Sequence, residues 1–291
     1  MSNLQLKNTH ILVDVNPKGA EISQLRNLHA TREVLWHVDL DYWNRTAPLL
    51  FPIVGKLKND EYSFEGKNYQ MKQHGFARDA EFDILEKTET TVHMRLVSNE
   101  DTRLQFPFDF QLDVNYFIEN NKLKAENIIT NTGEKTLPFS FGAHPGFSIQ
   151  LPTETCSIVV HRQWKEFEKT EVMQRHIIEN GLYTGEKEPV TLINGEILLN
   201  ESYFRQDAIV FKNEGITGMS LVQNNELIAR LDAPTAPYWG IWKKQGAPFV
   251  CIEPWWGIAD HLNSNSLLSE KEGIHWLAKN EVYSINYTLS T

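Results

Sequence analysis

The chain has 291 residues, of which 41% are hydrophobic and 11% aromatic, and it carries a formal net charge of −10. This composition can supply a large core, and the negative charge argues against a general nucleic-acid-binding protein or a protein of anionic membranes. Two cysteines are too few for a disulfide framework. The sequence has neither the layout of a signal peptide nor an apolar run of about 18 residues, so we expect a cytoplasmic protein.

Taken in chain order, paired stretches of alternating apolar and polar residues flank turns of Asn, Glu and Gly. Such period-two alternation predicts β-hairpins, and Asn-Gly is the pair that best tolerates a type I′ turn. The predicted turns lie at Glu65-Gly66, Asn120-Asn121, Asn194-Gly195 and Asn224-Asn225. A final strand is predicted from Tyr283 to Leu289.

Helix-length apolar periodicity is scarce, and only the segments at about 166–180 and 264–271 predict short helices. Many short strands joined by turns favour an all-β fold, a large antiparallel β-sandwich, over an alternating β–α fold. No low-complexity linker and no internal repeat divides the sequence. We therefore expect a single domain over residues 1–291.

A basic segment runs from Trp43 to Arg78, with six Lys or Arg and three Asp or Glu residues, a local charge of +3. It indicates an anion or polyol site, because Lys and Arg donate several hydrogen bonds to oxygens. A solvated basic hairpin would have the same composition. Within the segment, His74 precedes Gly75, and glycine permits a turn at which side chains can converge.

Two titratable residues, His144 and Glu253, are each followed directly by proline. His144 stands between two glycines of the Phe141–Phe147 stretch, where a ligand could approach the backbone, and its ordinary pKa of about 6.5 suits proton transfer. The stretch Phe249–Ile252 predicts a buried strand, and Glu253 follows it directly. Burial there would raise the pKa of this carboxyl towards the working range of a base.

Tryptophans cluster around Glu253. Four of the eight lie within eighteen residues: Trp239, Trp242, Trp255 and Trp256. Aromatic faces stack on the C–H faces of sugars and also fill cores, so some of the four can belong to the core. The sequence has no phosphate-binding glycine loop, no dinucleotide fingerprint, no nucleophile elbow and no paired metal-ligand spacing. We therefore expect no metal.

Four stretches resemble the aldose 1-epimerase (galactose mutarotase-like) superfamily, and most closely its branch of LacX-type and hexose-6-phosphate 1-epimerase-like proteins. They occur in the family's order, as Phe51–Lys56, His74–Arg78, Gly142–Phe147 and Cys251–Trp255. The resemblance implies a large β-sandwich that interconverts the α and β anomers of a hexose without a cofactor.

The resemblance also implies roles in ring opening. Glu253 matches the general base that takes the proton from the anomeric hydroxyl, and His144 matches the general acid that protonates the ring oxygen. His74 matches a second active-site histidine. Asp207 matches a carboxylate that holds sugar hydroxyls, and Trp255 is expected to bind the sugar.

Three basic residues bear on the substrate. Arg45 and Arg78 resemble the arginines of the phosphosugar branch. Lys56 departs from the family pattern, because a substrate-binding arginine would stand at its position in the galactose mutarotases. Lysine offers a point charge rather than a two-pronged donor. The orientation of the sugar therefore does not carry over from those enzymes.

The sequence predicts a mutarotase acting on a free or phosphorylated aldohexose as its small-molecule partner. A non-catalytic carbohydrate-binding β-sandwich is the alternative, because the same arginines and tryptophans would serve it. A glycoside hydrolase needs two carboxylates, and Glu253 has only Asp207 as a partner. The identity of the hexose, the need for a 6-phosphate, retained activity and the choice between monomer and dimer stay open.

Overall fold

The computed structural model describes residues 4–163, 166–205 and 207–291, and β-strands dominate it. The strands, numbered in chain order, are β1 (Leu4–Lys7), β2 (Ile11–Asn16), β3 (Glu21–Asn27), β4 (Arg32–Glu33), β5 (Leu49–Leu50), β6 (Glu61–Phe64), β7 (Lys67–Gln70), β8 (Asp83–Lys87), β9 (Thr91–Val97), β10 (Phe110–Glu119), β11 (Lys122–Asn131), β12 (Leu137–Phe139), β13 (Phe141–Ala143), β14 (Gly146–Ser148), β15 (Cys156–Arg162), β16 (Thr170–Glu179), β17 (Leu182–Ile193), β18 (Glu196–Leu198), β19 (Ile209–Lys212), β20 (Ile216–Gln223), β21 (Glu226–Asp232), β22 (Tyr238–Trp242), β23 (Phe249–Trp256), β24 (His275–Leu277) and β25 (Val282–Ser290).

Helical structure is sparse in these ranges. There is one α-helix, α1 (Glu100–Gln105), whose first turn is capped by the side chain of Asn99. The short 3₁₀ segments are Lys58–Asp60, Ala77–Asp79, Thr153–Thr155, Glu201–Phe204 and Leu268–Glu270. No helix in the described part of the chain has the length and hydropathy needed to cross a membrane.

A long antiparallel sheet forms the body of the protein. It runs through β8, β9, β10, β11, β25, β21, β20, β15 and β18. It continues through β17, β16, β19, β22, β23, β13 and β5. The sheet folds over on itself around the main core, and β1–β4 form a separate four-stranded sheet. The predicted antiparallel β-sandwich is confirmed.

The hairpin turns lie where the sequence predicts them. Asn194 and Gly195, between β17 and β18, have φ angles of 51° and 81°. A type I′ turn requires positive φ at both central residues, and Asn and Gly adopt it with the least strain. The turns between β6 and β7, β10 and β11, and β20 and β21 also lie at the predicted pairs.

The two helix predictions are wrong. Residues 170–179 form β16, which pairs with β17 over nearly its whole length. Its apolar residues Val172 and Met173 are adjacent and face opposite sides, Val172 exposed and Met173 in the core. Short apolar runs do not separate strand from helix by periodicity alone, and here the cross-strand pairing decides. Of 264–271, only Leu268–Glu270 forms a single 3₁₀ turn.

Candidate active site

A cleft of about 590 Å³ opens between the ends of β5, β13 and β23 and the turns around them. It brings together six of the sequence-predicted site residues: His74, Arg78, His144, Asp207, Glu253 and Trp255. Arg45 and Lys56 lie outside its lining.

The central wall of the cleft is β23, and every residue of this strand is buried. The strand does not end at Ile252, as the sequence predicts, but continues through Glu253 to Trp256. Gly240 on β22 is paired with Glu253 on β23. A Cβ at Gly240 would lie 3.1 Å from the Trp255 ring. A Cβ at Gly142 would lie 2.9 Å from Trp255 Cδ1. These two glycines therefore make room for the indole beside Glu253.

Glu253 is the most deeply buried acidic group of the cleft, with 1% of its surface exposed. Its Oε2 accepts a hydrogen bond from Trp255 Nε1 at 3.1 Å and lies 3.1 Å from His144 Nε2. Its Oε1 has no partner within the described ranges. Burial raises the pKa of this carboxyl well above its usual range; the Trp255 bond opposes the shift, and the charge of Asp207 adds to it.

His144 follows β13 directly, and its backbone N–H donates to the carbonyl of Pro48 at 3.1 Å. Its ring lies among Trp43, Trp242 and His74, with centroid distances of 5.0, 5.7 and 5.7 Å. Burial lowers the pKa of His144 to about 3, and the charges of Arg78 and Arg45 act in the same direction. The imidazole is therefore neutral when the cleft is empty.

The pKa shifts of His144 and Glu253 together favour one location for a proton shared by the pair. Burial raises the pKa of the carboxyl and lowers the pKa of the imidazole, so a shared proton rests preferentially on Glu253. The 3.1 Å contact joins the two groups directly. One proton can therefore move along this hydrogen bond without any exchange with solvent.

His74 is held in a strained backbone conformation, with φ of 67° followed by φ of 70° at Gly75. A Cβ at Gly75 would lie 2.3 Å from the carbonyl oxygen of Phe51, so only glycine fits there. His74 Nδ1 accepts a hydrogen bond from the Gly55 backbone N–H at 3.1 Å. Burial, followed by the charges of His144 and Arg78, lowers the pKa of His74 well below its usual range. The neutral ring must then carry its proton on Nε2, which makes it a fixed donor.

The two predicted arginines have different surroundings. Arg45 is tied to the protein: it donates to Asp79 Oδ1 at 2.6 Å and to the Arg78 carbonyl at 3.1 Å, and lies 3.9 Å from Glu21. Arg78 lines the cleft and donates from Nη2 to the Gln73 carbonyl at 2.7 Å. Its buried Nε has no partner in the described part of the chain. Of the two arginines, Arg78 is thus the one that lines the cleft.

A second recess of about 550 Å³, the annex, adjoins the cleft and has walls in common with it. Its lining is Lys56, Asp60, Lys72, Gln73, Arg78, Asn180, Gly181 and Asp207. The cations outnumber the carboxylates, which makes the annex a polar, net positive compartment. Lys56 lies here, and Asp207, whose pKa burial raises, lies on the shared wall.

Sequence reasoning missed several cleft residues, Trp43 and Lys243 among them. Trp43 lines the cleft with its ring centroid 5.7 Å from that of Trp242. Of the four tryptophans clustered around Glu253, Trp242 and Trp255 line the cleft, while Trp239 and Trp256 belong to the main core. The position of Trp43 beside Arg45, at the start of the basic segment, was the available signal. The buried Lys243, which bonds Thr153 and Glu201 at the cleft rim, had no signal in the sequence.

The chain was compared with known proteins. The model of a family described as aldose 1-epimerase matches residues 2–265. Protein LacX (chromosomal) of Lactococcus lactis subsp. lactis is 29% identical over 285 residues, which cover 92% of each chain. A galactose mutarotase related enzyme from Lactobacillus acidophilus is 30% identical with a TM-score of 0.91, covering 99% of this chain and 97% of that one. A galactose mutarotase-like protein from Lactobacillus casei is 27% identical with a TM-score of 0.92 and 99% coverage of both chains.

Proposed function

Because this chain belongs to the aldose 1-epimerase family, and is thus an isomerase of the mutarotase type, we propose that its cleft interconverts the α and β anomers of an aldohexose by acid–base ring opening. The observation that carries the proposal is the direct contact between Glu253 and His144 in a buried cleft. A base and an acid at this separation suit one particular reaction.

Anomerisation moves protons at two oxygens that are both bonded to C1. The base takes the proton of the O1 hydroxyl while the acid protonates O5, and the C1–O5 bond then breaks. Because O1 and O5 are attached to the same carbon, the acid and the base must themselves lie close together. The 3.1 Å between Glu253 Oε2 and His144 Nε2 meets this requirement. For this step the shared proton first moves from Glu253 to His144 along their hydrogen bond, and Glu253 then acts as the base at O1 and His144 as the acid at O5.

Ring closure completes the cycle. Rotation about C1–C2 presents the other face of the free aldehyde to the C5 hydroxyl, and both proton transfers run in reverse. In each direction the pair takes one proton from the sugar and gives one to it, so it holds a single proton throughout and no net proton leaves the site. His74 contributes its fixed Nε2–H as a neutral donor to the ring oxygen region. A neutral His74 suits this role. A positive charge on His74, beside protonated His144, would stabilise a charged sugar oxygen and oppose return of the proton to it.

The sugar itself is bound by groups on the cleft walls. Trp255 offers a ring face to the C–H face of the sugar while its N–H orients Glu253. Asp207 accepts from sugar hydroxyls at the boundary with the annex. The substrate we favour carries a 6-phosphate, since Lys56, Lys72 and Arg78 give the annex the donors that a phosphate needs.

The test is anomer exchange of α-glucose, α-galactose and their 6-phosphates, followed by polarimetry or NMR exchange spectroscopy. We expect the wild-type protein to accelerate equilibration and Glu253→Gln to lose at least about 100-fold in rate, since the amide keeps the shape but cannot take a proton. An undiminished rate in this variant would overturn the mechanism. Sugar binding without any acceleration by the wild-type protein would favour a carbohydrate-binding role instead.

A further inference from the structure

A third metal-ligating side chain stands beside the acid–base pair. Cys251 lies two residues before Glu253 on β23, and residues two apart in a strand face the same side. Its Sγ, a ring nitrogen of His144 and a carboxylate oxygen of Glu253 all lie within 4.8 Å of one another. The mechanism proposed above uses the imidazole and the carboxylate but has no task for the thiol.

The spacing of these atoms is close to that of a tetrahedral zinc site. Bond lengths of about 2.3 Å to sulfur and about 2.0–2.2 Å to nitrogen and oxygen place neighbouring ligand atoms roughly 3.3–3.6 Å apart. The His144 Nε2 to Glu253 Oε2 distance of 3.1 Å is already near that edge length. Cys251 Sγ lies at most 4.8 Å from the other two ligand atoms. It would need to move towards them by little more than about 1 Å to reach the ligand spacing of a zinc site.

Glu253 Oε1 supplies an independent observation. This oxygen belongs to a carboxyl that is 1% exposed, and it has no hydrogen-bond partner within the described ranges. Buried carboxylates are normally hydrogen-bonded, paired or bound to a cation. An oxygen without a partner in a cleft wall is therefore open to an incoming group, whether a sugar hydroxyl or a metal ion. The cleft supplies the path, since Glu253 and His144 line it.

We propose that His144, Cys251 and Glu253 form an inhibitory site for a thiophilic divalent cation of the Zn²⁺ class. The cation takes Nε2 of His144, the thiolate of Cys251 and the Glu253 carboxylate, and leaves one position for water. Binding expels two protons, one from the thiol and one from the acid–base pair. The acid and the base are both occupied at once, so anomerisation stops. The inhibitory consequence rests on the proposed function, whereas cation binding does not.

Binding is measured first, without reference to activity. Co²⁺ is titrated into the intact protein, and the thiolate-to-cobalt charge-transfer absorption in the near ultraviolet is followed. We expect one equivalent of Co²⁺ to produce the band in wild type and in Cys156→Ser, because Cys156 neither lines the cleft nor belongs to the group of His144, Cys251 and Glu253. Cys251→Ser should lose the band. Absence of the band in wild type, or its loss in Cys156→Ser alone, overturns the proposal.

Inhibition is measured next. Zn²⁺ should slow anomer exchange, with reversal by a chelator and competition by excess sugar. The rate of each protein with Zn²⁺ is compared with its own rate without metal. Cys251→Ser should need at least about 10–100 times more Zn²⁺ for the same fractional loss of rate, because the loss of a ligand weakens metal binding. Thermal melting checks that the variant is folded. Equal sensitivity of wild type and Cys251→Ser overturns the inhibitory site. A wild-type protein without anomer exchange overturns the proposed function, and the cobalt titration still decides on the metal site.

Discussion

The proposed proton-transfer centre, formed by His74, His144 and Glu253, adjoins the annex. The two regions differ in how far their side chains are buried. In the centre, His74, His144 and Glu253 are 7%, 8% and 1% exposed, and each has a backbone or indole partner that fixes it. In the annex, Lys72 is exposed and Lys56 only half-buried. The side chains of the centre are buried and hydrogen-bonded, whereas the lysines of the annex are exposed to solvent or half-buried.

This difference assigns different tasks to the two regions. Desolvation shifts the pKa values of His144 and Glu253 in opposite directions, which proton transfer between them requires. Charges in the wet annex are screened by salt and reach only groups that come close to them. We therefore propose that the centre determines the reaction and that the annex determines which sugars are retained. The following predictions test that division.

The largest effect is expected in the centre. His144→Gln should lower the rate of anomer exchange by about 10²–10⁴-fold, because the amide cannot donate a proton to the ring oxygen as an acid does. The double variant with Glu253→Gln should lose little more than the worse single variant, since groups that act as one unit have strongly non-additive effects. The measurement is NMR exchange spectroscopy at saturating sugar. Losses that multiply in the double variant would mean that the two residues act independently.

A smaller effect, about tenfold, is expected in the annex. Lys56→Ala and Lys72→Ala should each raise KM for a hexose 6-phosphate by roughly that factor and leave the free hexose within about twofold, since each removes a charge-assisted bond to phosphate. Steady-state kinetics in low and high salt should show the difference shrinking as salt rises. Lys87→Ala, an exposed lysine on β8 away from the cleft and annex, is the control. Equal losses for both sugars would place the two lysines at ring hydroxyls.

The arginines give a related contrast. Arg78→Ala should weaken the phosphosugar more than the free sugar, because Arg78 lines both compartments. Arg45→Ala should affect both sugars equally, since its guanidinium is occupied by Asp79 and the Arg78 carbonyl. Comparison of KM for the two sugars in each variant tests this. A selective loss of phosphosugar binding in Arg45→Ala would restore the direct role that the sequence resemblance implies.

The smallest effect concerns stability. The folded pKa of Glu253 is raised above its ordinary value of 4.5, so its burial costs stability increasingly as the pH rises above that value. Glu253→Gln removes this cost, and its Tm should exceed that of wild type by a few degrees at pH 7, with the gap vanishing below pH 4.5. The lowered pKa of His144 acts oppositely, with stability lost as the pH falls from 6.5 towards 3 in both proteins. A gap that does not change with pH would show that Glu253 is not strained by burial.

Sequence reasoning reached the hairpins and the buried centre because both are encoded locally. Positive φ angles at Asn194-Gly195 and at His74-Gly75 are properties of short stretches. It failed at residues 170–179, where an apolar run fits a helix or a strand equally well and only pairing with β17 decides. It also ended the strand before Glu253, because a charged residue followed by proline is typical of a strand end, whereas β22 covers this one.

By itself, the sequence determined the all-β class and the family to which the chain belongs, and it singled out the histidine and the glutamate that we propose as acid and base. Only the tertiary structure decided that Glu253 contacts His144, that Arg45 is bound by Asp79, and that Cys251 lies against the pair. Local sequence encodes turns and strand faces, because these depend on neighbouring residues. Residues more than a hundred positions apart meet through strand pairing and burial, and their pKa values follow from that meeting rather than from their neighbours in the chain.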